Sequence, residues 1–135
     1  MILESAEMIR PARPDDVAAI SALLLAEGWG SRAEPDRLTE AVAAATRAVV
    51  AAEDGEVVGF GRCVTDDVSN GYLSMVIVAL GNRRRGIGRA IVDALTGDDP
   101  RITWVLRAGH PGSDGFWEAI GFHRSEIAYE RVRRT

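Results

Sequence analysis

The sequence predicts a single α+β domain of three layers, in which a mixed central sheet of about seven strands has about four helices on its two faces. Three observations support this fold class. Apolar residues recur at helical spacing between residues 17 and 45, and short β-type runs separated by turns replace them from Arg47 onward. Residues 72–80 are almost wholly apolar, as is typical of a strand that is covered on both faces.

Local signals predict the N-terminal elements. Residues 8–11 form a short first strand. A helix begins at Pro14 and continues to about Leu25, because proline suits the first helical turn and the two acidic residues after it favour the positive end of the helix dipole. Residues 28–34 form a flexible stretch, after which Pro35 begins a second helix.

Three consecutive strands are predicted in the middle of the chain. Residues 48–52 and 57–64 flank Asp54-Gly55, which is a strong signal for a two-residue hairpin turn. Residues 66–71 form a second turn region and lead into the long strand over residues 72–80. The early part of the sheet is therefore expected to be antiparallel.

Helices and strands alternate in the C-terminal part. A helix begins near Ile87 and ends near Gly97, and residues 102–106 form a buried strand. A short helix begins at Ser113 or Asp114 and continues through Ile120, and two strands follow over residues 122–124 and 127–132. With no repeat or linker, residues 1–135 are assigned to one domain, and residues 1–7 are expected to be a poorly ordered preface.

The charge pattern favours a small anionic ligand over a nucleic acid. The formal net charge is −4, whereas a general nucleic-acid-binding protein usually has a net basic field. The basic residues are nevertheless uneven, since Arg83, Arg84, Arg85 and Arg89 lie close together in the sequence.

Other features of the composition exclude further classes of site. Cys63 is the single cysteine and there are 2 histidines, so neither a disulfide nor a metal centre is expected. No apolar run reaches the roughly 18 residues of a membrane helix. Glu4 and Glu7 stand where a signal peptide would be basic and then apolar. A cytoplasmic protein with no membrane partner is the expectation.

The segment from residue 80 to residue 90 has the features of an anion site. A buried strand enters a loop with three arginines, and a helix begins at Gly86 and Gly88. A helix N-terminus offers unpaired N–H groups to an anion, and glycine lets phosphate oxygens approach the backbone. A glycine pair alone is also typical of an ordinary strand-to-helix turn. Neither G-x-x-x-x-G-K-[ST] nor G-x-G-x-x-G is present.

Two motifs together resemble the GNAT superfamily of acyl-CoA N-acyltransferases. Residues 83–88, Arg-Arg-Arg-Gly-Ile-Gly, match the family pattern [RQ]-x-x-G-x-[GA], with Arg84 where many members have a further glycine. Residues 116–122, Phe-Trp-Glu-Ala-Ile-Gly-Phe, match a second pattern, an aromatic pair followed by Gly-Phe. Residues 9–16 resemble the usual opening of the family, so the resemblance spans about residues 8–132.

The resemblance implies a GNAT-like domain that transfers an acetyl group from acetyl-CoA to a primary amine of a small molecule or peptide, by direct attack in a ternary complex. Backbone amides of residues 85–90 would hold the pyrophosphate, and the pantetheine arm would lie along residues 75–78, where two strands separate. The residues that the resemblance assigns to acyl-CoA are Met75, Val76, Ile77, Val78, Arg83, Arg84, Arg85, Gly86, Ile87, Gly88, Arg89, Ala90, Phe116 and Trp117. A homodimer is left open.

The sequence does not identify a general base. Many relatives have an acid near the positions of Ser74 and Met75, and neither residue here is a base. The substitutes that the chain offers are Glu27, Asp66, Asp67 and His110. Each of them could also be a residue with no catalytic role, because residues of these types are common at a helix end, in a turn or in a loop.

Two tryptophans each have two alternative roles. Trp117 occupies the position where many members have a tyrosine that protonates the leaving thiolate, and an indole cannot act as that acid. It either packs on the pantetheine end or is a core aromatic. Trp29, between two glycines, either lines an acceptor pocket or anchors the two helices.

Three functional hypotheses remain open from the sequence. The first is an active N-acetyltransferase. The second is a degenerate member that binds acyl-CoA as a sensor or regulatory module, and it is supported by the missing acid and base. The third is a structural or interaction domain without CoA, which the two intact motifs disfavour.

Overall fold

A computed structural model of the protein describes residues 8–109 and 112–134. The elements, in chain order, are β1 (Ile9–Pro11), α1 (Val17–Ala26), α2 (Pro35–Ala44), β2 (Arg47–Glu53), β3 (Glu56–Thr65), β4 (Asn70–Val78), α3 (Ile87–Thr96), β5 (Thr103–Leu106) and α4 (Asp114–Ala119). Short 3-10 turns precede α1, α2 and α3. None of the described helices is long and apolar enough to cross a membrane.

The five described strands form one mixed sheet in the order β1-β2-β3-β4-β5. The first three pairings are antiparallel, and β4 pairs with β5 in parallel. The predicted hairpin at Asp54-Gly55 joins β2 to β3, with φ of 50° and 81° at the two residues. Positive φ at both central positions is what a type I′ hairpin turn requires, so this prediction is confirmed.

Helices cover both faces of the sheet because successive strand residues point to opposite sides. Val49 belongs to the buried cluster that includes Ile91 and Leu95 of α3. The next residue, Val50, belongs to a second buried cluster with Ile20 of α1 and Leu38 of α2. The three-layer α+β architecture predicted from the sequence is therefore confirmed.

Two glycines of β3 let α3 lie close to the sheet. A Cβ atom on Gly61 would be 2.6 Å from Cγ2 of Ile91 and 3.0 Å from Cδ1 of Leu95. Gly59 is similarly placed, 2.8 Å from Cδ1 of Ile91. The position of α3 over β3, and with it the start of the helix near β4, thus depends on the absence of side chains at these two positions.

Substitution of Gly61 by alanine is expected to destabilise the fold. The added methyl group overpacks the contact with α3, which typically costs about 1–3 kcal/mol. Gly30→Ala is the control, because no atom lies within 4 Å of a Cβ at that position; its effect should stay within about 0.5 kcal/mol. Unfolding in urea measures both values, and equal stability of the two variants would show that α3 does not press on β3.

The prediction of about seven strands was wrong. The part of the chain that the structure describes contains five, since residues 122–124 and 127–132 form no strand. Ile127 and Tyr129 are 86% and 100% exposed. Their β-forming side chains suggested strands, but a strand needs a neighbour that pairs with its backbone and covers one face. The described contacts of this segment, including the ion pairs Arg107–Glu130 and Arg124–Asp114, do not supply that neighbour.

Candidate functional site

The strands β4 and β5 separate before β4 ends. Their parallel pairing stops at Leu73 and Leu106, although β4 continues to Val78. Beyond Leu73 no described strand pairs with this edge of β4. A cavity of about 850 Å³ occupies the gap, which is within the usual size range for small-molecule and cofactor sites.

The cavity is lined by five parts of the chain: the loop after α1, β4, the loop into α3 with its first turn, the segment after β5, and α4. The lining residues are Gly28, Trp29, Ser31, Arg32, residues 72–78, Asn82, Arg83, Arg84, Ile87, Gly88, residues 106–109, Gly112, Ser113, Phe116 and Trp117. Most of the residues predicted to bind acyl-CoA are thus brought together here. Arg85, Gly86, Arg89 and Ala90 are not lining residues and belong to the loop and first turn of α3.

The loop before α3 presents free backbone amides. Gly86 is the N-cap of α3, with φ of 81°, and Arg84 also has a positive φ of 65°. The first amide of this helix to donate to a backbone carbonyl is that of Ala90, 3.0 Å from the Gly86 oxygen. Within the described residues, the amides of Gly86, Ile87, Gly88 and Arg89 donate to no backbone carbonyl. This is the geometry of an anion site at a helix N-terminus.

Two arginines of the loop are paired with carboxylates. Arg83 donates through Nη2 to Glu27 and through Nε to the Val78 carbonyl at 3.0 Å. Arg85 forms a two-pronged ion pair with Glu53, and its hydrogen bonds lower the pKa of that carboxyl group. Both contacts tie the loop to the body of the domain.

The other two arginines, Arg84 and Arg89, are not paired in this way. Neither Arg84 nor Arg89 forms an ion pair with any described carboxylate, and both side chains are exposed. Arg84 also lines the cavity. Since the charges of Arg83 and Arg85 are already partly neutralised, Arg84 and Arg89 are the guanidinium groups best able to meet an anion.

Gly88 has a packing role that its motif did not predict. A Cβ at this position would be 3.0 Å from Cε1 of Phe116 and 3.6 Å from Cγ2 of Val78. The glycine therefore lets α4 approach the first turn of α3. A bulky residue at Gly88 would disturb this contact, so its effect on a ligand would not be separable from its effect on the fold.

Trp117 lies in an aromatic cluster at the cavity wall. Its ring is 4.9 Å from that of Phe116 and 5.3 Å from that of Phe122, both in edge-to-face arrangements. Trp117 is half-buried and packs against the α3 core cluster while also lining the cavity. The two roles that the sequence left open, a core aromatic and a ring that packs on the pantetheine end, are both compatible with this position.

The loop after α1 places Trp29 at the opposite wall. The Trp29 amide donates to the Leu24 carbonyl at 2.8 Å, and the ring packs against the α1–α2 core cluster. Trp29 and its neighbours Ser31 and Arg32 line the cavity as well. The sequence suggested Trp29 alone, because nothing in the linear pattern distinguished Arg32 from a solvated loop arginine.

The base candidates lie in different places. Glu27 is held by Arg83 and by the Leu80 amide at 3.4 Å, at the end of β4 nearest the arginine loop, and does not line the cavity. Asp66 and Asp67 lie in the β3–β4 turn, where Asp67 pairs with Arg47, and neither lines the cavity. His110 lies outside the described residues. No described group of three His, Cys, Asp or Glu side chains forms a metal site.

Asp66 is a turn-stabilising residue. Its carboxylate accepts hydrogen bonds from the backbone amides of Ser69, Val68 and Asn70 and from the Ser69 hydroxyl. These bonds favour the charged form and lower the pKa of Asp66 well below its ordinary value. A carboxylate with a lowered pKa accepts a proton less readily, which makes Asp66 a poor general base.

This pKa shift predicts a loss of stability in acid. The folded pKa of Asp66 lies below the unfolded value of about 3.9, so its hydrogen bonds stabilise the fold above that pH, and the stabilisation is lost as the pH falls toward the folded pKa. Asp66→Asn should therefore show a shallower loss of unfolding free energy below about pH 4 than the wild type. Identical slopes for the wild type and Asp66→Asn would contradict the assignment.

A bulge interrupts β4 at the cavity. Phe60 faces Ile77 and Arg62 faces Ser74, so Gly61 of β3 stands opposite two residues of β4. Met75, in the bulge, has a φ of 60°. Such a bulge re-aims backbone groups and side chains, and bulges are common next to functional sites. No local pattern predicted this bulge, because Met75 is not a residue that favours positive φ.

Cys63 lies away from the cavity. The thiol is buried beneath α3, and burial raises its pKa. A thiol with a raised pKa is a poor nucleophile near neutral pH, so this cysteine is unsuited to hold an acyl group.

Comparison with known proteins identifies the family. The model of a family described as Acetyltransferase (GNAT) family matches residues 13–122, which is more than half of the chain. The chain belongs to the GNAT acetyltransferase family. The family predicted from the two sequence motifs is confirmed.

Individual relatives and solved structures resemble the chain in sequence or in fold. A mycothiol acetyltransferase of Geodermatophilus obscurus is 32% identical over 130 residues; the match covers 89% of this chain and 42% of that protein. The chain thus spans less than half the length of this curated relative. A GNAT-family acetyltransferase from Streptococcus pneumoniae superposes with a TM-score of 0.75 at 22% identity, over 94% of this chain and 96% of the other. A Mycobacterium tuberculosis protein solved in complex with CoA is 31% identical, with a TM-score of 0.53 over 64% of this chain and 53% of the other.

Proposed function

We propose that the protein is an acyl-CoA-dependent N-acyltransferase that transfers the acetyl group of acetyl-CoA to a primary amine. The observation that supports this most is the opening between β4 and β5. One unpaired edge of β4 faces a cavity of about 850 Å³, and the free amides of the α3 N-terminus lie at the end of that edge. A long ligand with an anionic end and a peptide-like arm fits this arrangement.

The chain's own groups suit each part of acetyl-CoA. The amides at residues 86–89 and the guanidinium groups of Arg84 and Arg89 would bind its phosphates. The backbone of residues 74–78 would hydrogen-bond the amides of the pantetheine arm in the manner of an added strand. The CoA complex of the Mycobacterium tuberculosis relative supports this choice of ligand.

The transfer needs no covalent enzyme intermediate. The lone pair of the amine nitrogen attacks the thioester carbonyl carbon, the C–N bond forms, and the C–S bond breaks with its electron pair on sulfur. The proton lost by the nitrogen passes to solvent or to the leaving thiolate. A backbone N–H freed by the bulge at Met75 would stabilise the negative charge that develops on the carbonyl oxygen.

Positive charge around the cavity would help to supply a neutral amine. No carboxylate lines the described part of the cavity, whereas Arg32, Arg84 and Arg107 do. A nearby positive charge disfavours an ammonium ion and so lowers the pKa of a bound amine. Deprotonation can then occur to solvent without a dedicated base, although the ordinary amine pKa of about 10.4 makes this step costly near neutral pH.

A second candidate function is a sensor that binds acyl-CoA without turnover. It is favoured by Trp117 at the usual acid position and by the same lack of a carboxylate among the described lining residues. The acceptor, a small-molecule or peptide amine, and a homodimeric assembly remain predictions.

A screen of primary amines with acetyl-CoA separates the two functions. Release of free thiol reports turnover, and calorimetric titration with acetyl-CoA reports binding. We expect acetyl-CoA to bind and at least one amine class to be acetylated. Binding without turnover on any amine would favour the sensor, and a folded protein that does not bind acetyl-CoA would contradict both.

A further inference from the structure

The cavity has a second half, on the side of the α1–α2 loop, that acyl-CoA binding does not explain. The polar lining residues that the proposed acyl-CoA contacts do not use are Ser31, Arg32, Tyr72 and Arg107. Arg107 is paired with Glu130. No aspartate or glutamate of residues 8–109 and 112–134 lines the cavity. An acceptor that enters here as a simple cation would meet like charge.

Arg32 is held in place by the loop rather than by a carboxylate. The Arg32 amide donates to the Trp29 carbonyl at 2.9 Å, and the next residue, Ala33, is buried and accepts the Ser21 hydroxyl at 2.5 Å. The Arg32 side chain is half-buried and has no hydrogen bond or ion pair with any other described residue. The backbone at Arg32 is thus held by the loop, and no described residue accepts a hydrogen bond from its guanidinium group.

A second arginine, Arg62, interacts electrostatically with Arg32. Arg62 of β3 donates through Nε to the Ala41 carbonyl at 3.0 Å and forms no ion pair with a described carboxylate. Burial lowers the pKa of Arg62, and the nearby charge of Arg32 lowers it further. Two positive charges that interact with no anion between them are mutually unfavourable. An anion bound at Arg32 would relieve this repulsion.

We propose that the acceptor amine also has a carboxylate group, as an amino acid does, and that Arg32 binds this carboxylate with the hydroxyl groups of Ser31 and Tyr72. This inference rests on the proposed acetyltransferase function and specifies its substrate class. A guanidinium group binds a carboxylate through two parallel hydrogen bonds, which is a geometry that lysine cannot reproduce. Arg62 adds positive charge behind the pair.

The test compares L-amino acids with their carboxamides, which keep the side chain and the amine but lose the negative charge. Rates are expressed per unprotonated amine, because the carboxamide amine has the lower pKa. We expect kcat/KM to be about 10- to 100-fold higher for the acids. Arg32→Gln should abolish this preference, because it should lower kcat/KM for the acids about 10- to 100-fold more than kcat/KM for the carboxamides.

Arg37→Gln is the matched control. It removes the same charge from the exposed face of α2, where Arg37 pairs with Glu40, and should keep the preference for acids. A wild-type enzyme that acetylates the carboxamides as well as the acids would overturn the inference and leave the acetyltransferase function intact. If Arg32→Gln lowers kcat/KM equally for the acids and the carboxamides, the inference is overturned as well.

A binding measurement covers the case in which no amine of the panel reacts. N-acetylated amino acids are titrated into the protein saturated with CoA. If the wild type and Arg37→Gln bind these compounds and Arg32→Gln does not, the carboxylate site is supported. If the wild type does not bind them, the inference is overturned. Failure of CoA itself to bind would instead contradict the proposed function.

Discussion

Replacement of Arg84 by glycine is expected to weaken acetyl-CoA binding by about 10- to 150-fold without loss of stability. The guanidinium group lines the cavity and has no described carboxylate partner, so its removal deletes a charge-assisted phosphate contact of about 1.5–3 kcal/mol. The backbone, in contrast, gains from the change. Arg84 has a φ of 65°, a conformation that glycine adopts without the steric cost that other residues incur. Calorimetric titration and urea unfolding measure the two effects separately.

Arg85→Ala provides the control within the same loop. It removes the same formal charge, but the Arg85 side chain is engaged with Glu53. We expect this variant to weaken acetyl-CoA binding less than Arg84→Gly. A larger loss of affinity in Arg85→Ala would mean that the phosphates lie on the other side of the loop.

Trp117→Ala is expected to reduce the unfolding free energy by about 2–3 kcal/mol. Removal of a fully buried aromatic side chain typically costs more, about 3–5 kcal/mol. The indole is half-buried between Phe116 and Phe122 and closes one wall of the cavity. The turnover of this variant would therefore reflect lost packing as well as lost chemistry. Urea unfolding gives the stability.

Trp117→Phe isolates the chemistry because it keeps an aromatic ring and removes the indole N–H. We expect its turnover to fall less than about tenfold, since a thiol with a pKa of about 8.5 leaves readily as thiolate and needs no strong acid. The comparison is made at matched stability and over a range of pH. A stable variant that binds acetyl-CoA but turns over about a hundredfold more slowly would give the indole N–H a catalytic role.

Much of the fold could be predicted because local signals and tertiary packing agree. Asp54-Gly55 favours the left-handed conformation of a tight hairpin, and Pro35 suits the first turn of α2. The prediction of two strands after residue 121 was wrong because local signals and tertiary packing disagree there. Ile127 and Tyr129 favour strands, but a strand also needs a pairing partner, and a local pattern does not specify one.

The candidate site could be predicted only in part. The arginine loop was recognisable because the anion site is built from consecutive residues at a helix start. The bulge at Met75 and the contact of Gly88 with Phe116 depend on packing between elements that are distant in sequence. Arg32 lies in the α1–α2 loop and Arg62 lies in β3, so no linear motif could have joined them.

Backbone amide chemical shifts recorded as acetyl-CoA is added test the central claim most directly. If acetyl-CoA lies in the β4–β5 opening with its pyrophosphate at the α3 N-terminus, the largest changes will occur at Gly86, Gly88 and residues 74–78. The turn at residues 66–70, which does not line the cavity, should be unaffected. Saturable binding with the largest changes at that turn, or with none along β4 and the arginine loop, would contradict the account.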